Sequence, residues 1–158
     1  MSQISGPLPA STTTRILEAT IPGTPRPQGS MRMMTNTRTG RTFAKYSDTT
    51  VDHRNLVVAT LADIWAGGEP YLGAVAVKVG FVFARPGAHY GTGKNAEVLK
   101  DSAPVWHSQT PDVDKLLRLV CDALTVAGVL RDDRQVALAR AEKVWGAKDH
   151  THLEVVPL

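Results

Sequence analysis

Residues 110–124, TPDVDKLLRLVCDAL, set two aspartates one residue apart, Asp112 and Asp114, at the start of a helical pattern. A second acidic pair, Asp132 and Asp133, follows in LRDDRQV. Carboxylates placed this way have two readings. As metal ligands they are hard oxygen donors, suited to holding Mg²⁺ or Mn²⁺ against a phosphodiester. As structural residues, Asp112 occupies an N-cap position, and Asp114 a first turn where the helix dipole favours a carboxylate by about 0.3–1 kcal/mol. The helix alone therefore accounts for the first pair. Arg118 and Asp122 continue the same face at four-residue steps, so Arg118 can form an i,i+4 ion pair with Asp114 or with Asp122.

The second pair is harder to explain structurally. Asp132 and Asp133 lie between a helix and a strand, next to neither an evident capping position nor a turn glycine. A short helix–strand unit can bring the start of that strand back towards the helix. Three carboxylates converging there would repel one another unless a cation neutralised them.

The elements that must position these acids can be read from periodicity. RILEATIPG (15–23) predicts a strand, and MRMMTNTRTGRTFAKY (31–46) a hairpin turning at TRTG. Residues 47–68 predict a helix, capped by Ser47 or Asp48 and stopped by Gly67 and Gly68, with Val51, Leu56, Val57, Leu61, Ile64 and Trp65 as its stripe. AVAVKVGFVFARP (74–86) alternates strongly and predicts a strand burying Val75, Val77, Val79, Phe81 and Phe83. Residues 85–106 read as a long loop, functional or disordered. The helix carrying the first acids runs from about Asp112 to Ala127, with Val113, Leu116, Leu117, Val120 and Leu124 buried and Gly128 at its stop. Strands follow over 134–146 and 152–158. The order β-β-β-α-β-α-β-β implies one α+β domain over 14–158, a mixed sheet with helices on one side, after a disordered tail over 1–13.

Composition narrows the class. Of the 158 residues, 42% are hydrophobic and 21% charged, which suits a globular protein. No apolar run is long enough to span a bilayer, and the N-terminus shows no signal-peptide pattern. One cysteine, Cys121, excludes an internal disulfide or a multi-cysteine zinc site and reads as a buried, inert thiol. A cytoplasmic protein is expected. The net charge of +3 is unevenly spread. Residues 23–54 hold Arg26, Arg32, Arg38, Arg41, Lys45 and Arg54 against two aspartates, whereas residues 110–133 hold five aspartates against three cations. A basic arm beside an acidic cluster suits a polyanion processed at a metal site; two solvated surfaces are the plain alternative.

HSQTPDVDKLLRLVCDAL, GVLRDDRQV and the following EK together resemble the signature of RusA-type Holliday-junction resolvases, and IPGTPRPQGSMR is similar to that family's N-terminal segment. The resemblance covers about residues 18–156. It implies that Asp112, Asp114 and Asp133 are catalytic metal-binding acids, that Asp132, the preceding acid of the pair, is a further metal ligand, that Asp122 is the helix aspartate before Ala-Leu, and that Lys143 is the late-strand lysine. Two positions depart from the pattern: Lys115 stands where asparagine is usual, and Arg118 where a functional lysine is usual. Arginine keeps the charge but cannot give up its proton, so Arg118 suits phosphate contact and not proton transfer.

The resemblance further implies an Mg²⁺- or Mn²⁺-dependent endodeoxyribonuclease, bacterial or phage-encoded, that acts as a homodimer on four-way junctions and other branched DNA. Arg118 and Lys143 would add positive charge at the scissile phosphate, and Arg26, Arg32, Arg38, Arg41, Lys45 and Lys115 would contact DNA. A junction-binding protein impaired in catalysis through Lys115 and Arg118 is the alternative. An enzyme acting on a small phosphate ester is a third reading, which the basic arm disfavours. GTGK (91–94) lacks the spacing of a phosphate loop, so no nucleotide cofactor is expected. His107 can orient a ligand or pack locally. Trp106 and Tyr90 can stack on a base, with core or rim packing the plainer role, and Trp145 reads as structural or a subunit contact.

Overall fold

The computed structural model describes residues 15–28, 32–45 and 48–158. The expected tail over 1–13 lies outside them. The element order is β1 (Leu17–Pro22), β2 (Arg32–Thr35), β3 (Thr42–Lys45), α1 (Asp48–Trp65), β4 (Val75–Ala84), α2 (Val113–Val126), β5 (Val136–Gly146) and β6 (His150–Pro157). This is the α+β order that periodicity predicts. The main sheet runs β1-β6-β4-β5; β5 is parallel to β4, and the other pairings are antiparallel. The hairpin β2–β3 is a separate two-stranded sheet.

Alternation decides which face of the main sheet is covered. Leu17, Ala19 and Ile21 of β1, Val75, Val77, Val79, Phe81 and Phe83 of β4, and Leu153 and Val155 of β6 are all buried. Helix α1 packs against β1 and α2, and α2 against β5. The other face carries Glu18, Lys78, Arg140, Glu142 and Glu154, with Lys78 paired to Glu154 at 2.8 Å.

Helix α1 buries a narrower stripe than expected. His53, Val57, Leu61 and Trp65, spaced by four, are buried, whereas Val51, Leu56 and Ile64 stay exposed. Four-residue spacing tracks one line along a helix, and the exposed three fall to its sides. In α2 the buried set is Leu116, Leu119, Val120, Ala123 and Leu124, with Val113 and Leu117 packed at its edge. The end of α2 follows from Gly128, whose φ of +77° admits the left-handed turn. Val129 N–H donates to Leu124 O at 3.0 Å and Gly128 N–H to Thr125 O at 3.1 Å, a paired closure that satisfies the last carbonyls. Val129 and Leu124, both fully buried, clamp it.

Candidate active site

Asp112 is the residue before α2, with extended φ/ψ of −70°/137°, as an N-cap requires. Its side chain nevertheless caps nothing. Instead Asp112 Oδ2 pairs with Lys115 Nζ at 2.7 Å. The Lys115 hydrogen bond, then its charge, hold the exposed Asp112 carboxyl below the ordinary carboxylate range, and raise the Lys115 ammonium in turn. Asp114, in the first turn, and Arg118, one turn on, are exposed and have no ion pair or hydrogen bond from their side chains among the described residues. The helix start thus leaves both carboxylates exposed without using either side chain as a cap.

Asp122 does not continue a pairing with Arg118. Its Oδ2 accepts from Nε and Nη2 of Arg54 at 3.1 and 2.9 Å, tying α2 to α1. This is a structural clamp, and Arg54 could be found only by knowing that the helices pack together.

Asp132 also has a structural duty, contrary to the expectation that the second acidic pair lies away from any cap. A short 3₁₀ turn over Asp133–Gln135 precedes β5, so the strand begins at Val136 instead of 134. Asp132 caps this turn by accepting from Arg134 N–H at 3.0 Å. Gln135 Oε1 accepts from the N–H groups of Arg131 and Asp132 at 2.7 and 3.2 Å, completing a capping box. Its Nε2 donates to Tyr71 O and Gly73 O at 2.7 and 2.9 Å, anchoring the turn to the chain before β4. Asp133 is exposed and its side chain has no partner among the described residues.

Asp133 acts electrostatically on the middle of α2. Burial first, and the Asp133 charge second, push the Cys121 thiol up to about 11. Cys121 lies seven residues beyond Asp114, about 10 Å along the helix axis. Among the described residues no three His, Cys, Asp or Glu side chains are grouped to hold a metal ion. Asp112, Asp114 and Asp133 therefore do not form such a group among the described residues. The donors at the start of α2 are two exposed carboxylates, Asp112 and Asp114. That set fits Mg²⁺, which commonly takes one or two carboxylates and completes its shell with water and phosphate oxygens.

Lys143 reaches this end of the helix from β5. Its Nζ donates to Gln109 O and, at 2.8 Å, to Pro111 O, the carbonyls of the segment that leads into Asp112. Its ammonium is thus engaged by backbone and sets where Asp112 sits. His107 is buried, its ring tilted against those of Phe83 and Trp145 with centroids 4.1 and 4.4 Å away. Burial, with the Lys143 charge adding, holds the His107 imidazole below its ordinary range. Local packing is therefore the role the structure gives His107 and Trp145. Trp106 is the reverse: its backbone bridges to Val144, but the residue is 63% exposed, so core packing is not its role. Tyr90 is half-buried and bridges to Leu99, and the loop over 85–106 is ordered by such bridges and two 3₁₀ turns.

The cations fall into two sets. Arg32, Arg38, Arg41 and Lys45 are exposed on the β2–β3 hairpin. Arg26 is exposed in the segment after β1, close enough for its charge to add to burial in lowering the His53 imidazole. This segment reaches the acidic site, because Gln28 N–H donates to Lys115 O at 3.5 Å. The segment after β1 and the acidic helix start are therefore neighbours in space.

The model of the endodeoxyribonuclease RusA family matches residues 22–156. The chain belongs to the RusA endodeoxyribonuclease family. The match spans the arm, both acidic pairs and β5. The search of curated proteins found no match. No helix among the described residues of this RusA-family chain is long and apolar enough to cross a membrane.

Proposed function

We propose that the chain is a structure-selective endodeoxyribonuclease that resolves four-way DNA junctions with a divalent cation, as a homodimer. The observation that carries this reading is the start of α2, where the side chain in the N-cap position makes no cap hydrogen bond and its neighbour Asp114 has no side-chain partner among the described residues. Membership of the family supports nuclease chemistry.

Asp112 and Asp114 would hold Mg²⁺ or Mn²⁺, which when bound polarises a phosphodiester and lowers the pKa of water. Asp133 joins them only if the 3₁₀ turn and the helix start approach in the DNA complex. Arg118, always charged and exposed, faces the same way as Asp114 and would contact a phosphate oxygen. Lys143 acts as a positioning residue, holding the Gln109 and Pro111 carbonyls. Arg26, Arg32, Arg38, Arg41 and Lys45 would track the backbone. Cutting two strands symmetrically about a two-fold junction requires two such sites, which a homodimer supplies.

One observation favours the second reading, a junction binder impaired in catalysis. Lys115, in place of the usual asparagine, holds the Asp112 carboxylate at 2.7 Å and competes with a cation for it. The test is incubation of a labelled four-way junction with and without Mg²⁺. Nicked duplex products formed only with metal support the nuclease. Tight binding without any cutting supports the binder.

A further inference from the structure

The β2–β3 hairpin has a composition that phosphate tracking alone does not explain. Each residue from Arg32 to Lys45 is exposed, and among the described residues no third strand pairs with the ribbon. Its register sets Arg32 opposite Lys45 and Met34 opposite Phe43. Residues two apart on a strand share a face, so these four side chains stand together on one side. Thr35 and Thr42, whose hydroxyls lie 3.2 Å apart, take the other side with Met33 and Ala44. One face is thus cationic at its base and apolar above it. Met34 is 47% and Phe43 46% exposed.

Several occupants can cover an apolar pair, and charge decides among them. No carboxylate occurs between Glu18 and Asp48, while the ribbon and its turn carry Arg32, Arg38, Arg41 and Lys45. Contact between the ribbons of two copies would bring these cations face to face with no acid in either. Nucleic acid offers the complementary pattern, phosphates for the cations and base faces for the apolar pair. A two-stranded ribbon fits a DNA groove, and phenylalanine and methionine flanked by arginine are side chains that wedge between base steps.

We infer that the Met34–Phe43 pair is a wedge that contacts unstacked bases at a DNA branch point, and that it makes the enzyme selective for branched over linear duplex. Inserting a side chain into intact duplex costs unstacking, whereas a branch point presents base faces already open. Gln28, whose N–H donates to Lys115 O beside the acids, lies six residues before Met34 in the chain. An extended chain of that length spans at most about 20 Å, so the wedge works within one to two DNA diameters of the acids. This deepens the junction-nuclease reading and rests on it.

The test compares wild type with a Met34→Ala, Phe43→Ala double variant on a four-way junction and a linear duplex of the same sequence. A junction with 2-aminopurine at the branch point is added for wild type. The wild-type protein should prefer the junction and brighten the branch-point base on binding. The double variant should lose that preference by about tenfold or more, the scale of one lost base contact. Its salt slope on linear duplex should stay unchanged, whereas replacing Arg32, Arg38 and Arg41 by glutamine should flatten that slope. Retained preference in the double variant, no emission change with wild type, or a change of oligomeric state in the double variant would each overturn the inference. Failure of wild type to prefer the junction at all would instead remove the junction reading on which it rests.

Discussion

Replacing Lys143 by methionine separates two roles that a lysine at this position can have. The substitution keeps most of the aliphatic stem and removes the ammonium that donates to Gln109 O and Pro111 O. A hydrogen bond to a charged group contributes about 1.5–3 kcal/mol when sheltered, and Lys143 is only half-buried, so about 1 kcal/mol for each bond is the appropriate scale. The two together give a loss of about 2 kcal/mol. At about 2–4 °C per kcal/mol for a chain of this length, Tm should fall by about 4–8 °C. Urea unfolding should show a lower midpoint with an unchanged slope, since the unfolded surface is the same. Single-turnover cleavage should slow as the segment entering Asp112 loosens, and Lys143→Arg, which can still donate to a carbonyl, should recover part of both losses. A Lys143→Met protein with unaltered stability and no cleavage would refute the reasoning and place the ammonium at the phosphate.

Arg118→Ala should lower single-turnover cleavage at saturating enzyme by at least about tenfold, about 1.4 kcal/mol in the barrier, with Arg118→Lys retaining most of the rate; a full-rate alanine variant makes Arg118 a solvated surface residue. Lys115→Asn should lower the Mg²⁺ concentration giving half-maximal cleavage, because it frees Asp112 Oδ2; an unchanged Mg²⁺ requirement would show that the ion pair does not compete. His53 and His107 both titrate below their ordinary range, chiefly through burial. The unfolded chain therefore binds more protons, and stability should fall as pH drops below about 6.5 and be flat above it. Replacing His107 by phenylalanine, which keeps the ring stack, should reduce that acid-side fall as followed by urea midpoints from pH 5 to 8; an identical pH profile would contradict it.

The main elements were legible because their signals are local. Alternation through Val75–Phe83, the glycine after α2 and the basic hairpin each follow from neighbours in sequence. The misreadings arise where a long-range contact decides. Val51, Leu56 and Ile64 look as apolar as Val57 and Leu61, and only the direction from which β1 and α2 approach selects among them. Asp122 has Arg118 four residues away, but the tertiary contact brings Arg54. Asp132 lacks a turn glycine beside it, and its capping role depends on Gln135 being fixed by the carbonyls of Tyr71 and Gly73. The pairing of Gln135 with Asp132 at capping-box spacing was the available signal. Lys143 meets the segment that leads into α2 from 32 residues away, through a sheet edge that spacing does not reveal.

The central claim is that Asp112 and Asp114 are a cation-binding pair serving phosphodiester cleavage. Its most direct test is single-turnover cleavage of an end-labelled four-way junction, with and without Mg²⁺, by wild type and by the Asp112→Asn and Asp114→Asn variants. Junction affinity is measured on the same samples. Cleavage by wild type only with Mg²⁺, and its loss in each variant while junction binding is retained, is the predicted result. Metal-independent cleavage, or near wild-type rates in either variant, would contradict the account.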